Sequence, residues 1–383
     1  MTFQSFSLQD AALPPDLDRL REEVRDFLSD ERRAGHYERT PDGWDRYDPD
    51  FSRRIGAKGW IGMTWPEQYG GRARTSLERY VVTEELLTSG APVRAHWLAD
   101  RQIGPLFLAY GSEEQKAEYL PRIAAGDCYF CAGLSEPDSG SDLSSIRTRA
   151  ERSDRGWRVN GRKIWTSYAH RAHYMNLFAR TSPRDEKHRH AGVSQFILDL
   201  ASPGVSIRPI VNIAGDHDFN EVVFEDVFIP EARLIGQVGG AWGQVSTELA
   251  HERSGSERWV NSFGALVAMT DISADLEAGA GQVGRLTAHL WTLHRMSFAI
   301  AAMIQRGVVP MAEAALVKDL GTSFDQAVPA AARDFITEER RADLGPERLA
   351  AIDHAALYAP SHSIRGGTRE ILRGIIAREL GLR

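Results

Sequence analysis

The chain has 383 residues, a formal net charge of −7, and 42% hydrophobic and 26% charged residues. That length exceeds what one core usually serves, so two or three domains with a sizeable buried interior are expected. The acidic balance without a basic stripe excludes a nucleic-acid binder, and no apolar run is long enough to span a bilayer.

The opening Met1-Thr2-Phe3-Gln4-Ser5 has neither a basic n-region nor an apolar h-region. No secretory signal is therefore expected, and a cytoplasmic location is. In chain order, Leu17, Leu20, Val24, Phe27 and Leu28 form one helical stripe behind Pro14-Pro15. Phe51 to Trp60, Leu77 to Leu87 and Ala95 to Tyr110 read as further helices, and Ser112-Glu113-Glu114-Gln115 as a capping box opening another. Residues 1–125 thus read as all-α. Cys128 and Cys131 lack the second ligand pair a zinc site needs, so they read as small apolar strand residues in a reducing compartment.

The character changes near Gly126. Met175 to Arg180, Val193 to Leu198, Val205 to Ile207 and Glu221 to Phe224 are short alternating or apolar runs between turn residues, predicting an antiparallel β domain. The charged stretch Arg184 to His190 reads as a solvated loop. After Ile229-Pro230 helical patterns return: Trp242 to Met269 as one long helix, then Gly284 to Gln305, Met311 to Val328 and Ile364 to Leu380.

The densest signal runs from Leu134 to Ser167. Leu134-Ser135-Glu136-Pro137-Asp138-Ser139-Gly140-Ser141-Asp142 is a turn whose N–H groups and hydroxyls can cradle an anion. Trp157-Arg158-Val159, Asn160-Gly161 and Lys163-Ile164-Trp165 read as a hairpin, in which Trp165 could equally be hairpin core. Together these stretches resemble the flavin-binding middle domain of the acyl-CoA dehydrogenase family, whose pattern is Leu/Val-Ser/Thr-Glu-Pro-x-x-Gly-Ser-Asp followed by Asn-Gly-x-Lys-x-Trp-x-Thr/Ser. The segments Trp65 to Gly71, Tyr110 to Lys116 and Phe219 to Pro230 resemble the family as well.

The resemblance implies an α+β multidomain fold. It has an N-terminal helical domain (1–125), a central antiparallel β domain with flavin and CoA contacts (126–235) and a C-terminal four-helix-bundle-like domain (236–383). It also implies a reaction, removal of hydrogens from Cα and Cβ of an acyl-CoA thioester to give the trans-2-enoyl-CoA and reduced FAD. Such a reaction needs a carboxylate base, donors at the thioester oxygen, and flavin N5 beside Cβ as hydride acceptor. By resemblance Leu134 and Ser135 meet the flavin pyrimidine edge, Ser141 reaches the pyrophosphate and lies near the CoA, Trp165 lies along the isoalloxazine and Ser167 bonds near N5. Thr368 also falls at a cofactor position, and the family implies an electron-transfer flavoprotein as electron acceptor.

Many members carry the base in Tyr-Glu-Gly-Thr before the last helix; here that motif reads Arg365-Gly366-Gly367-Thr368, and Gly366 has nothing to titrate. A second group, resembling isovaleryl-CoA dehydrogenase, places the glutamate before an arginine on the long C-terminal-domain helix. Leu249-Ala250-His251-Glu252-Arg253-Ser254-Gly255 matches, making Glu252 the expected base, Arg253 the arginine behind it, and Gly366 a backbone donor to the thioester. Glu248 and Glu257 compete, and an acidic–basic pair on a solvated helix reads similarly.

Two expected family segments are missing: 278–295 has no Arg-x-x-Phe-Gly, and Asp334 to Ala355 no Phe-Gly-Gly. By resemblance the first of these reaches a neighbouring subunit's adenosine in homotetramers, so the assembly stays open between a homo- and a hetero-oligomer, dimer or tetramer. A partner subunit with decayed sites and a flavin-dependent monooxygenase on the same fold are the other functional readings.

Overall fold

The computed structural model describes residues 8, 14–41, 43–245, 255–273, 277–335 and 344–382. The chain resolves into two compact units interleaved along the sequence. One comprises Met1–Tyr47, Arg74–Val93 and Ala250–Arg383; the other comprises Asp48–Ala73 and Arg94–Leu249.

The second unit holds the sheet. Its strands are β1 (Phe130–Gly133), β2 (Arg149–Ser153), β3 (Gly156–Ser167), β4 (Tyr174–Arg180), β5 (Val193–Asp199), β6 (Val205–Ile210), β7 (Phe219–Pro230) and β8 (Leu234–Ile235). They lie in the order β6-β7-β3-β2-β4-β5-β8, with β1 also on β4. Pairing is antiparallel except where β4 runs parallel to β1 and, at one bridge, to β2, so the expected antiparallel domain carries a parallel seam. One face buries Trp157, Val159, Leu177, Phe196, Val222 and Phe224. Each large apolar side chain there contributes about 1.5–3 kcal/mol. On the other face Phe130 and Tyr174 pack edge-on against Tyr119.

Tyr119 belongs to α6 (Glu113–Ala124), which opens with the expected capping box, Ser112 and Gln115 each bonding the other's backbone N–H. Before it come α2 (Pro49–Ala57), α4 (Arg94–Leu98) and α5 (Gly104–Tyr110). A π-turn at Ala99–Ile103 splits the helix read as continuous from Ala95 to Tyr110. Cys128 and Cys131 are buried free thiols, Cys128 pushed up to about 12 by burial, as packing residues should be.

The first unit contains α1 (Asp16–Arg33), α3 (Ser76–Thr88), α7 (Phe263–Ser273), α8 (Glu277–Gln305), α9 (Met311–Phe335), α10 (Pro346–His362) and α11 (Arg369–Glu379). The α1 stripe of Leu17, Leu20, Val24 and Leu28 is buried, and Arg25 forks onto Glu85 of α3 at 2.8 and 3.0 Å. Trp242 to Met269 is not one helix. Residues 241–245 are helical, but Gly255 to Ser262 form a 3-10 turn and loop before α7 begins. The loop is fixed from outside, since Asp325 of α9 accepts the Ser262 N–H (3.0 Å) and the Asn261 amide (2.6 Å). Those bonds replace the intrahelical ones a continuous helix would need. Among the described residues no helix is long and apolar enough to cross a membrane.

Candidate functional site: a pinned turn and an outward indole

The turn after β1 is fastened to β3 by a buried lysine. Lys163 Nζ donates to the Leu134 carbonyl (3.0 Å) and to Glu136 Oε1 (2.8 Å). Glu136 also accepts the N–H groups of Arg147 (2.6 Å) and Thr148 (2.9 Å), and the Ser135 carbonyl accepts from the Ile164 N–H (2.9 Å). The Glu136–Ser139 turn closes on itself through paired backbone bonds of 2.8 and 3.0 Å. Burial lowers the Lys163 ammonium to about 8, partly offset by Glu136. Burial alone would raise Glu136, but the Lys163 charge and the hydrogen bonds outweigh it and hold the carboxyl below its ordinary range. The pair is ionised at neutral pH and ties three segments of chain together.

Two positions beyond Lys163 the strand changes its aim. The β3–β7 register pairs Lys163 with Val222 but Thr166 with Asn220, so β3 carries one extra residue there. Trp165 sits in that bulge at φ 59°, left-handed and unusual for a bulky residue, with its indole 58% exposed and edge-on to Phe219 at 6.0 Å. Thr166 returns to the interior, and Ser167 pairs with Phe219 at the strand end. Asn220 donates to the Thr166 carbonyl (3.0 Å) from beneath.

The Asn160-Gly161 pair is no hairpin turn, because β3 runs straight through it. The hairpin lies earlier, closing β2 on β3 through Asp154-Arg155 with Ser153 opposite Gly156. Asn160 and Gly161 mark a second bulge, where the Asn160 side chain accepts the Asp226 N–H (2.9 Å). A Cβ on Gly161 would fall 2.5 Å from the Thr148 hydroxyl, so the glycine is there for close approach.

In the first unit, Gly366 and Gly367 both adopt positive φ, 70° and 99°. Thr368 caps α11, its hydroxyl accepting the Ile371 N–H. Arg369 and Arg373 reach Asp319 of α9 at 2.6 and 3.2 Å, and Arg365 donates to Asn261 (3.0 Å) and pairs with Asp45 (3.6 Å). Glu252 and Arg253 lie outside the described residues. Of their competitors, Glu248 lies outside too, whereas Glu257 is buried in the turn before α7, 3.9 Å from the Arg258 guanidinium.

The family model for the acyl-CoA dehydrogenase N-terminal domain matches residues 14–127 and that for the middle domain residues 131–227. Acyl-CoA dehydrogenase IpdE1 of Mycobacterium tuberculosis is 32% identical over 344 residues, 87% of this chain and 87% of that protein. The chain belongs to the acyl-CoA dehydrogenase family. FadE26 of the same organism is 38% identical over 201 residues, 52% of this chain and 50% of its own length, so there the match spans half the relative. Among solved structures, a chain of the Tcur3481-Tcur3483 steroid ACAD superposes with a TM-score of 0.86 at 27% identity, covering 98% of this chain and 99% of that one. A chain of the M. tuberculosis ChsE4-ChsE5 complex gives 0.83 at 28%, covering 98% and 99%.

In this member of the family, Leu134, Ser135, Ser141, Trp165 and Ser167 all fall in the second unit, while Gly366 and Thr368 fall in the first. The second-unit residues fit a flat, anionic cofactor such as FAD. The hydroxyls of Ser135, Ser141 and Ser167 make no side-chain hydrogen bond among the described residues. Ser141 is exposed at the tip of a turn, and Trp165 offers an open aromatic face held out by strained backbone. Reading the sequence missed the Lys163–Glu136 brace. Its signal was a lysine and a glutamate inside the two motif halves, but both residue types ordinarily face water.

Proposed function

We propose that this chain is an FAD-dependent acyl-CoA dehydrogenase that converts an acyl-CoA thioester to its trans-2-enoyl-CoA. Bound FAD supplies the hydride acceptor. Leu134, Ser135, Ser141, Trp165, Ser167 and Thr368 hold the cofactor, with Ser141 also contacting the CoA portion. Glu252 takes the α-proton, Arg253 supports substrate binding, and the Gly366 N–H donates to the thioester oxygen as negative charge develops there. The isovaleryl-CoA dehydrogenase-like placement of the base follows from the absence of a carboxylate at Gly366. The functional division follows segments 1–125, 126–235 and 236–383, and an electron-transfer flavoprotein reoxidises the enzyme.

One observation carries most of this reading: the Trp165 indole, exposed in a strained bulge beside a turn whose Ser135 and Ser141 hydroxyls make no side-chain hydrogen bond among the described residues. The test is exchange of the substrate α-hydrogen in deuterated water. Wild type exchanges it and forms enoyl product; Glu252→Gln keeps FAD and loses the exchange by about a thousand-fold or more, within what a catalytic base supplies. Exchange at the wild-type rate in the variant removes Glu252 from the role.

A second reading is that the chain works beside a different subunit that completes the adenine pocket. It is favoured by the missing Arg-x-x-Phe-Gly and Phe-Gly-Gly segments and by similarity to chains of the ChsE4-ChsE5 and Tcur3481-Tcur3483 proteins. Stoichiometric FAD and full turnover in the isolated homo-oligomer would exclude it.

A further inference from the structure

A cavity of about 320 Å³ lies wholly within the first unit, among the 39–45 loop, the end of α3, α7 and α10. Its lining mixes charge with apolar surface: Arg39, Arg348 and Arg365 against Asp45 and Glu347, with Phe263 and Val267 among smaller residues. The charges are spread along α10. Glu347 and Arg348 begin that helix and His362 ends it, about 20 Å away at 1.5 Å per residue. Arg39, Glu347 and Arg348 are exposed, so water screens them. Between the two ends the rings of His354 and Tyr358 stack at 4.2 Å and 24°, a flat aromatic panel on the face of α10 that carries His362 one turn further on.

The His362 end is rich in donors. His362 is 3% exposed, and its Nδ1 is buried with no hydrogen-bond partner among the described residues. The residue is fixed by its carbonyl, which accepts from Lys318 Nζ (2.7 Å) and the Thr322 hydroxyl (3.2 Å). Arg365 lines this end too, donating to Asn261 (3.0 Å) and pairing more loosely with Asp45 (3.6 Å). Asn261 precedes α7, and a Cβ built on Gly264 would meet the Ala351 methyl at 3.9 Å, so α7 runs antiparallel to α10 with its start toward His362. The first i→i−4 bond of α7 runs from the Leu266 N–H to the Ser262 carbonyl (3.0 Å), and the Phe263 N–H donates to the Val260 carbonyl (3.0 Å). The N–H groups of Gly264 and Ala265, both lining the cavity, make no hydrogen bond among the described residues. Ala265 is 1% exposed, so bulk water does not serve it. Burial, with the nearby Arg365, Lys318, His354 and Arg258, drives the His362 ring well below its ordinary range, and the same cations favour an added negative charge. A neutral imidazole, a guanidinium and two helix N-terminal amides together suit an oxyanion. Asp45, and Asp325 on the Ser262 N–H, disfavour a doubly charged phosphate, which leaves a carboxylate.

We propose that this cavity binds a flat organic monoanion, an aromatic carboxylate, with its ring against His354 and Tyr358 and its carboxylate among His362, Arg365 and the first amides of α7. The ligand is a free acid, and the site does not rest on the dehydrogenase reading.

The test is calorimetric titration of the full chain with 2-naphthoate, and with 2-naphthamide as its uncharged isostere. Wild type gives saturable one-to-one binding of the acid, about ten-fold or more tighter than the amide. His362→Leu and Arg365→Gln each remove one partner of the carboxylate and weaken the acid about ten-fold or more while leaving the amide within about two-fold. Gly264→Leu fills the cavity and weakens both probes. Ala351→Leu fills it from the α10 wall and serves as a second variant should Gly264→Leu melt early. Absence of binding in wild type, equal affinity for acid and amide, or wild-type affinity for the acid in natively folded variants overturns the proposal. No step of the titration needs flavin reduction, so a chain that no thioester reduces loses the dehydrogenase reading while the cavity is still judged.

Discussion

Lys163 and Trp165 lie two positions apart on β3, and the bulge between them separates a structural role from an exposed one. Removing the Lys163 amine leaves the Glu136 charge buried among backbone donors. Lys163→Met is therefore expected to cost about 3–5 kcal/mol and to loosen the 134–142 turn, and the double change with Glu136→Gln to recover part of that loss. Thermal melting and retained flavin measure both. Trp165 behaves oppositely. Its left-handed backbone costs about 1–2 kcal/mol, which glycine would relieve, and its exposed indole contributes little packing. Trp165→Gly should melt at or above the wild-type temperature while its flavin affinity falls about ten-fold or more, the trade expected of a strained functional residue. A large drop in melting temperature with flavin binding intact would make Trp165 a packing residue.

At the scale of elements, Asp325 decides where α7 starts. Its carboxyl is pushed up to about 6 by burial, although the Asn261 amide and the Ser262 N–H partly oppose this. With the unfolded value near 3.8, the folded chain keeps a proton that the unfolded chain has released between those two values. This stability is fully present below the unfolded value and is lost as pH rises through 6, amounting to on the order of 2–3 kcal/mol. Asp325→Asn should flatten that part of the profile, read as urea midpoints at pH 4 and pH 7. An unchanged slope would place the buried proton elsewhere. The loop it anchors explains why the Trp242 to Met269 pattern misleads: apolar spacing records burial, while the break is imposed by a carboxylate more than sixty residues away.

Other misreadings have similar causes. The strand β2, Arg149 to Ser153, is mostly charged and exposed, so it offers no alternation to read, and the hairpin signal falls on Asn160-Gly161 instead. The helix α10 opens on Pro346-Glu347-Arg348 and was hidden in a charged stretch. By contrast, α1 follows its apolar stripe and α6 its capping box, while α3, β4 and β5 were legible as apolar runs because they are buried along nearly their whole length.

For the whole molecule, the order helices, sheet, helices was legible from the sequence, but the interleaving was not. The helices α1 and α3 join the C-terminal helices in one unit, while α2 and α4–α6 join the sheet in the other. No local pattern encodes which partner a helix chooses. The proposed cofactor residues from Leu134 to Ser167 lie in one stretch of chain that carries a family pattern, with Thr368 far from it in sequence. The residue proposed to perform the chemistry, Glu252, rests on the match of Leu249 to Gly255 with a family motif and on the empty position at Gly366, and it lies outside the described residues. The most direct measurement is anaerobic titration of the purified flavoprotein with a panel of acyl-CoAs, following the oxidised-flavin absorbance band. At least one thioester should bleach the wild-type band and leave Glu252→Gln yellow with cofactor retained; a wild-type protein that no thioester bleaches, or a variant that bleaches as fast, would contradict the account.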